Sequence, residues 1–144
     1  ALYSSTGDIF RNSCDQALRL FHQAGFPKEM LLMGAAFYSR KWENVKDRYH
    51  GFLQYTEKGG GYGPNYDELA EKYIDKNGYV SYWDDEAKAP FLFNGSTFIS
   101  YDDERSLSCK CKYVKEEGIG GIFYWCHTGD TSGVLLRKIG EEIR

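Results

Sequence analysis

Two apolar segments, widely separated in the sequence, have the pattern of buried strands in a parallel sheet. They are "MLLMGAAFYSR", Met30 to Arg40, and the apolar part of "GIGGIFYWCHTGD", Gly118 to Asp130, and each follows a predicted helix. Parallel strands are joined by helical crossovers and are covered on both faces, so they are continuously apolar. Because two such strands do not complete a sheet, the sequence predicts part of a larger α/β fold.

Helical spacing of apolar residues predicts three helices beside these strands. Each is expected to start near a side chain that can accept a hydrogen bond from a first-turn amide. In chain order these residues are Ser13, Asp102 or Asp103, and Asp130 or Thr131. The sequence S-C-D-Q at the first start has the form of a capping box. We therefore expect Asp102 and Asp103 to be helix caps rather than catalytic groups.

The segment 41–98 has a different pattern, which predicts an α+β insertion. It contains a glycine-rich loop, "KGGGYGPNY", followed by a short helix with Asn65 as its predicted cap. The sequence "GYVSYWDDEAKAPFLFNGSTFISYDD" then alternates short β-prone runs with turn residues. This alternation is typical of two or three antiparallel strands.

Composition argues against several classes of function. The net charge is −3, and the 18 Lys and Arg residues are scattered, so there is no basic stripe to bind nucleic acid. No apolar run approaches the ~18–20 residues that span a membrane. The four cysteines include no C-x-x-C pair, so we expect free, mostly buried thiols and no metal site. No metal or organic cofactor is predicted.

The residues at the ends of the two strands indicate a binding site. Alternate side chains of a strand share a face, so Tyr38 and Arg40 point the same way, as do Phe123 and Trp125. If the strands are parallel neighbours, Tyr38, Arg40 and Trp125 converge where α/β proteins bind ligands. A buried arginine there requires an acid or a polar ligand. The alternatives are that Trp125 fills a core and that Arg40 belongs to a structural ion pair.

The aromatic content of 17% also suits a site for flat, amphipathic ligands such as sugars. Aromatic packing and half-exposed tyrosines are the alternative explanation. Twelve tyrosines bring twelve hydroxyl groups that need hydrogen-bond partners or water. The composition thus agrees with a carbohydrate site without requiring one.

Taken together and in order, the motifs resemble glycoside hydrolase family 18, the chitinase family. "LLMGAAFYSR" is similar to its seventh barrel strand, and "GIGGIFYWCHTGD" to its eighth. "YWDDEAKAPFLF" and "FISYDDERSL" resemble the end of the chitinase insertion domain and the entry to the next helix. The resemblance implies a (β/α)8 TIM barrel. It assigns 1–40 and 99–144 to parts of that barrel and 41–98 to the insertion domain.

The resemblance also implies a reaction and its missing part. The family hydrolyses β-1,4-linked N-acetylglucosamine polymers with retention, and the substrate's own acetamide is the nucleophile. The acid is the glutamate of a D-x-x-D-x-D-x-E signature, which this sequence does not contain. We therefore assign no catalytic residue here and expect the chain alone to be inactive. A non-catalytic chitin-binding lectin and a peptidoglycan-acting relative are the alternatives.

Six substrate-binding residues follow from the resemblance. Trp125 is expected to form the floor of the subsite that holds the distorted sugar, with Tyr38 and Arg40 lining the same subsite. Another three residues are expected to form a wall of the groove, with packing between insertion and barrel as the alternative; they are Tyr82, Trp83 and Asp84.

Three positions depart from the family pattern. Ala36 replaces a usual proline, Ser39 a usual glycine, and Cys126 a usual acidic residue. Because Ser39 is expected on the face opposite Tyr38 and Arg40, the site should tolerate it. Cys126 removes a charge near the site, which puts the sugar specificity in question.

The resemblance implies partners and a location as well. Chitin or N-acetylglucosamine oligosaccharides are the expected ligands, and neither nucleic acid nor a membrane is an expected partner. Enzymes that act on insoluble polymers are exported, so an extracellular location is expected. Strands that lack their neighbours leave edges and apolar faces uncovered, so the isolated chain should self-associate.

Overall fold

Two separate sheets form the framework of the protein. The computed structural model describes residues 1–144. Strand β1, Leu32–Ala36, pairs in parallel with β7, Gly121–Trp125, so that Ala36 lies opposite Trp125. This pairing confirms that the two apolar segments are parallel neighbours.

The second sheet is antiparallel and has five strands in the order β3-β2-β6-β5-β4. Their bounds are β2 Tyr38–Trp42, β3 Gly61–Asn65, β4 Val80–Asp84, β5 Ala89–Phe93 and β6 Phe98–Ser100. Within this sheet, the buried apolar side chains are on β5 and β6, so these two strands pack on the core.

Four helical segments and three single-turn 3-10 helices, Lys28–Met30, Tyr49–Gly51 and His127–Gly129, complete the fold. The four longer segments are α1 Cys14–Gln23, α2 Tyr66–Glu68 with a π-helical continuation Leu69–Tyr73, α3 Glu104–Glu117 and α4 Val134–Glu142. Helices α3 and α4 pack against each other, and α3 also contacts the parallel pair β1–β7. Helical crossovers of this kind are what parallel strands require. None of these helices is long and apolar enough to cross a membrane.

The helix caps agree with the sequence at two of the predicted starts, and at the third Asp130 accepts from the Leu135 amide at 2.8 Å although Gly133 is the N-cap residue of α4. The Ser13 side chain accepts a hydrogen bond from the Gln16 amide at 3.2 Å, and Asp103 forms a capping box with Ser106. Asp102 is not a cap, because its buried carboxylate is paired with Lys110. Asn65 occupies the N-cap position of α2, but its side chain makes no capping bond.

The prediction of a single strand from Met30 to Arg40 is wrong. The chain leaves the parallel sheet after Ala36, passes through Phe37, and enters the antiparallel sheet at Tyr38. The predicted domain boundary after residue 40 therefore falls inside β2. A continuous apolar run cannot reveal such a change, because both strands bury residues on either side of it.

Strands β4, β5 and β6 confirm the prediction of two or three antiparallel strands over residues 78–103, but the sheet also contains β2 and β3. Strand β3 lies within the predicted glycine-rich loop, and the glycines of this loop allow its backbone to approach β2 closely. A Cβ atom on Gly63 would lie 2.4 Å from the Ser39 Oγ atom, and one on Gly60 would lie 2.2 Å from the Trp42 ring. A strand rich in glycine has no alternation of apolar and polar side chains, so the sequence pattern does not reveal β3.

Two apolar clusters stabilise these layers. The larger contains eleven buried residues, among them Phe37, Leu92 and Leu107, and joins the antiparallel sheet to α3 and α4. The smaller contains seven, among them Leu18 and Met33, and lies beside α1 and α3. All four cysteines are free, but only Cys111 is buried, so the expectation of mostly buried thiols is wrong.

Candidate functional site

The parallel strand pair has one buried and one exposed face. Phe123 and Trp125 alternate with less exposed neighbours along β7 and lie on one face, as predicted. Leu32 of β1 lies on the same side through the register of the pair. Leu32 is 54% exposed, Phe123 49% and Trp125 67%. Trp125 is therefore an exposed residue in this chain.

The opposite face of the pair is fully packed and holds the strand ends in place. Met33, Ala35 and Phe37 are at most 3% exposed. The Phe37 ring stacks on Tyr124 with centroids 4.7 Å apart and planes inclined by 15°. Tyr124 precedes Trp125, so this packing fixes the backbone that presents Trp125 to solvent. Exposed and rigidly supported, Trp125 has the properties of a binding platform.

The two sheets meet at the end of this pair. The Phe37 amide donates to the Trp125 carbonyl at 2.8 Å, and the Tyr66 amide donates to the Phe37 carbonyl at 3.1 Å. Tyr38 is the next residue along the chain and the first of β2. The backbone at Tyr38 therefore starts beside the backbone at Trp125, although the two residues belong to different sheets.

Arg40 belongs to an aromatic cluster rather than to an ion pair. It is exposed, its guanidinium carbon lies 4.3 Å from the centroid of the Tyr62 ring, and no carboxylate lies within 4.0 Å. The Tyr62 ring also meets Tyr38 edge to face, with centroids 5.4 Å apart. The predictions of a buried Arg40 and of a structural ion pair are both wrong. An exposed cation held over an aromatic ring keeps its hydrogen-bond donors free for a ligand.

Sequence reasoning missed Tyr62, the third member of this cluster. It is 72% exposed and lies in the glycine-rich stretch predicted to be a loop. Its pairing opposite Arg40 across β2 and β3 creates the cluster. A tyrosine among four glycines was a signal that could have drawn attention to it, because glycines allow a ring to lie unobstructed.

The three predicted wall residues lie on β4, the strand at the far edge of the antiparallel sheet. Tyr82 and Asp84 share a face, and Trp83 points to the opposite face. Cross-strand pairing relates the Tyr82 face, through Phe91 and Ser100, to the face that carries Arg40. The six residues proposed from the sequence are thus divided between the strand pair and both faces of the antiparallel sheet.

Tyr82 is part of an extended aromatic stack. Its ring lies parallel to His50 with centroids 4.2 Å apart, and to Phe91 with centroids 5.3 Å apart. The stack continues from Phe91 to Phe98 at 5.0 Å, and Trp42 meets Phe98 edge to face. This sheet face is therefore an aromatic surface from its centre to the β4 edge.

Trp83 and Asp84 have partners within the chain. The guanidinium carbon of Arg105 lies 3.8 Å from the Trp83 ring centroid, and the indole Nε1 atom donates to Asp85. The Asp84 carboxylate accepts from the amides of Glu86 at 2.9 Å and Ala87 at 3.2 Å, and from the Ser5 hydroxyl. These contacts connect the β4–β5 turn to the N-terminal segment.

A cavity of about 570 Å³ lies over the aromatic face. It is enclosed by the N-terminal segment, by the loop that contains Phe52 and Tyr55, and by the sheet residues Trp42, Phe91 and Phe98. Asp84 is at its wall, whereas Tyr38, Arg40 and Trp125 are not among its lining residues. The sequence did not indicate this cavity, because two irregular segments form it and neither has a periodic pattern.

Behind the strand tip lies the one deeply buried ion pair of the chain. The Lys110 amino group donates to the Asp102 carboxylate at 2.6 Å, and their side chains are 4% and 5% exposed. Burial alone would raise the pKa of Asp102, but the charge of Lys110 and hydrogen bonds to the carboxylate more than offset it, so this pKa is lowered. The pair is therefore charged when folded.

Comparison with known proteins gives a consistent set of matches. The model of the Glycosyl hydrolases family 18 matches residues 1–130. Chitinase A1 of Niallia circulans is 37% identical over 128 residues, which cover 83% of this chain and 18% of that protein. A probable endochitinase of Caenorhabditis elegans is also 37% identical, over 120 residues that cover 77% of this chain and 19% of that protein.

A solved structure of a family 18 N-acetylglucosaminidase from Paenibacillus barengoltzii matches with a TM-score of 0.97 and 50% identity. The match covers 98% of this chain and 42% of that one. The chain thus spans about a fifth of the first two curated relatives and less than half of this structural relative. Its mixed α/β architecture fits a fragment of a TIM-barrel chitinase. With the family model matched over residues 1–130, the chain belongs to glycosyl hydrolase family 18.

Proposed function

We propose that this chain is the substrate-binding, C-terminal part of a chitinase-type glycoside hydrolase that acts on β-1,4-linked N-acetylglucosamine polymers. The observation that carries the proposal is Trp125, which is 67% exposed at the end of a fully packed strand, beside the start of β2. In this proposal β1 and β7 are the seventh and eighth strands of the barrel. The antiparallel sheet, β2 to β6, belongs to its insertion domain, which lies between the two barrel parts.

The chemistry of these residues suits a sugar. A pyranose ring presents C–H groups on its faces, which pack on an aromatic surface such as Trp125, and hydroxyl groups on its rim. Arg40, stacked on Tyr62, and the Tyr38 hydroxyl supply polar groups for that rim. Tyr82, Trp83 and Asp84 form a wall of the groove in this proposal. The aromatic cavity beside Asp84 extends the apolar surface available to a longer oligosaccharide.

The proposed reaction is retaining hydrolysis assisted by the substrate's acetamide. Its acid, the glutamate of the D-x-x-D-x-D-x-E signature, is outside this sequence. We therefore expect the purified chain to release no product from chitin oligosaccharides. Measurable turnover by the purified chain would contradict this part of the proposal.

Binding is the direct test of the site. We expect the chain to bind soluble N-acetylglucosamine tetramers to hexamers in isothermal titration calorimetry. Trp125→Ala should weaken binding about tenfold or more, because it removes the stacking surface. The control is Tyr49→Ala, since Tyr49 has the same exposed fraction of 67% but lies outside the site. Equal affinities for the two variants, or no binding by the unaltered chain, would overturn the proposal.

The gene upstream of the codon for Ala1 provides a second test. We expect it to encode the missing signature within about 250 codons, the typical length of such a barrel. An intact glutamate supports the hydrolase, whereas a replaced glutamate would make the parent a chitin-binding protein. We also propose an extracellular location, with a secretion signal as the expected finding. A similar protein from Paenibacillus is described as a cell-surface-expressed enzyme.

A further inference from the structure

The buried ion pair lies at the edge of β1 that faces away from β7. The Lys110 amino group donates to the Gly34 carbonyl at 3.1 Å, and the Asp102 carboxylate accepts from the Ala36 amide at 3.0 Å. Two side chains thus occupy the hydrogen-bonding groups of a strand edge, which a neighbouring strand would otherwise use.

The geometry of the strand shows which edge this is. Backbone groups of residues two apart point to the same side of a strand, so those of Gly34 and Ala36 share a side. The Phe37 amide points the other way, because it donates to Trp125 of β7. The ion pair therefore occupies one backbone carbonyl and one backbone amide at the outer edge of β1, within its last three residues.

The pair is also anchored to helix α3. The second oxygen of Asp102 accepts from the Ser106 hydroxyl at 2.9 Å, and Ser106 completes the capping box with Asp103. Lys110 lies one turn further along the same helix. Since removal of one member would leave an unpaired buried charge, the arrangement has little freedom to move. The position of Ala36 is thereby tied to the first two turns of α3.

The junction between the two sheets is consequently held on three sides. Asp102 binds the Ala36 amide, Trp125 binds the Phe37 amide, and Tyr66 binds the Phe37 carbonyl. Tyr38 follows directly.

We infer that Asp102 and Lys110 are positioning residues for the sugar site: they fix the direction in which the chain leaves β1 and so orient Tyr38 and Arg40 relative to Trp125. The inference rests on the proposed sugar-binding function. In this inference the pair affects the affinity for the ligand, in addition to its effect on the stability of the fold.

Two double variants separate the two roles. D102N/K110M removes both charges but keeps an oxygen that can accept from the Ala36 amide, whereas D102L/K110M removes this acceptor too. We expect the first to bind oligosaccharide within about threefold of the unaltered chain and the second to bind about tenfold more weakly. Leu18→Ala is the stability control, since Leu18 is buried in the smaller cluster away from the junction.

The outcomes are distinct. If affinity follows melting temperature across all variants, the pair is structural only and the inference is wrong. If D102L/K110M does not fold, Asp102→Glu is the substitute, because it keeps the charge but displaces the carboxylate by one methylene. The same tenfold loss is then expected, and unchanged affinity would overturn the inference.

A failure of the proposed function would be recognised separately. If the unaltered chain binds no oligosaccharide, amide hydrogen exchange and NMR shifts test the positioning role alone. D102L/K110M should speed exchange at Ala36 and shift the signals of Tyr38 and Arg40, whereas D102N/K110M should not. Unchanged signals at Tyr38 and Arg40 would refute the inference irrespective of sugar binding.

Discussion

The Phe37 amide donates a 2.8 Å hydrogen bond to the Trp125 carbonyl, and this bond joins the parallel pair to the first residue beyond it. The Phe37 ring is fully buried and stacks on Tyr124. The aromatic side chains on either side of this bond have opposite environments, since Phe37 is buried and Trp125 is exposed. The junction thus connects core packing directly to the proposed binding surface.

Gly129 should be intolerant of any side chain, because it closes on this junction. A Cβ atom there would lie 2.3 Å from the Phe37 carbonyl oxygen, a backbone atom that cannot rotate away. We expect Gly129→Ala to lower the free energy of unfolding by about 2–3 kcal/mol, measured by denaturant titration. Gly140→Ala is the control: it meets open space in α4 and should stabilise the protein by up to about 1 kcal/mol. Equal effects of the two substitutions would contradict the steric argument.

The isolated chain should self-associate through the exposed face of β1 and β7. Leu32, Phe123 and Trp125 form a contiguous apolar face, and both outer strand edges lack a partner strand. We expect light scattering after size exclusion to show a mass that rises with concentration. The double variant L32S/F123S should shift the equilibrium towards monomer. A monomer at every concentration would show that this face does not drive association.

Ser39 should influence stability but not sugar affinity. It is 1% exposed, and its hydroxyl donates to the Pro64 carbonyl at 2.7 Å, on the face opposite Arg40. Ser39→Gly restores the usual family residue but removes this bond and adds backbone freedom to a strand. We expect a loss of about 1–2 kcal/mol in the free energy of unfolding, with unchanged oligosaccharide affinity. A change in affinity would place Ser39 in the site.

Three buried tyrosines should weaken the fold at alkaline pH. Burial raises the pKa of Tyr66 to about 12 and also raises the pKa of Tyr101 and of Tyr113. In the unfolded chain these hydroxyls ionise near their ordinary value of 10. The contribution of the neutral hydroxyls to the free energy of unfolding is therefore fully present below pH 10. It is lost as the pH rises towards the folded-state pKa.

The Tyr66→Phe variant tests this pH dependence. The variant removes one of these groups, so its melting temperature should fall less steeply between pH 10 and 12 than that of the unaltered chain. Tyr55→Phe is the control, because the Tyr55 side chain is 80% exposed. Identical slopes for Tyr66→Phe and the unaltered chain would contradict the prediction.

The sequence predicted the parallel pair and its helices well, because continuous apolar runs and cap residues are local signals. The faces of β7 followed from simple alternation, and Ser13 and Asp103 cap helices as expected. The change of sheet at Phe37 was not predictable, because hydrogen bonds to residues distant in sequence, Trp125 and Tyr66, determine it.

The sequence predicted those site residues that lie at the ends of strands. The exposure of Trp125 required the structure, because a large aromatic at a strand tip is compatible with a core or a surface. The Arg40–Tyr62 contact depends on the pairing of β2 with β3, and glycines conceal that pairing in the sequence. Asp102 was misjudged because two adjacent aspartates have the same capping potential. Only packing against Lys110 distinguishes them.

The parallel pairing of β1 with β7 has a consequence for the order of folding. These strands enclose residues 37–120, so pairing them from an unfolded chain closes a long loop at a large entropic cost. The antiparallel pairing of Arg40 with Ser100 joins the ends of most of that loop, so its formation beforehand would shorten the loop that β1 and β7 have to close. Once it has formed, only the segment containing α3 remains to be closed. The inserted sheet is thus suited to fold early and to template the strand pair that carries Trp125.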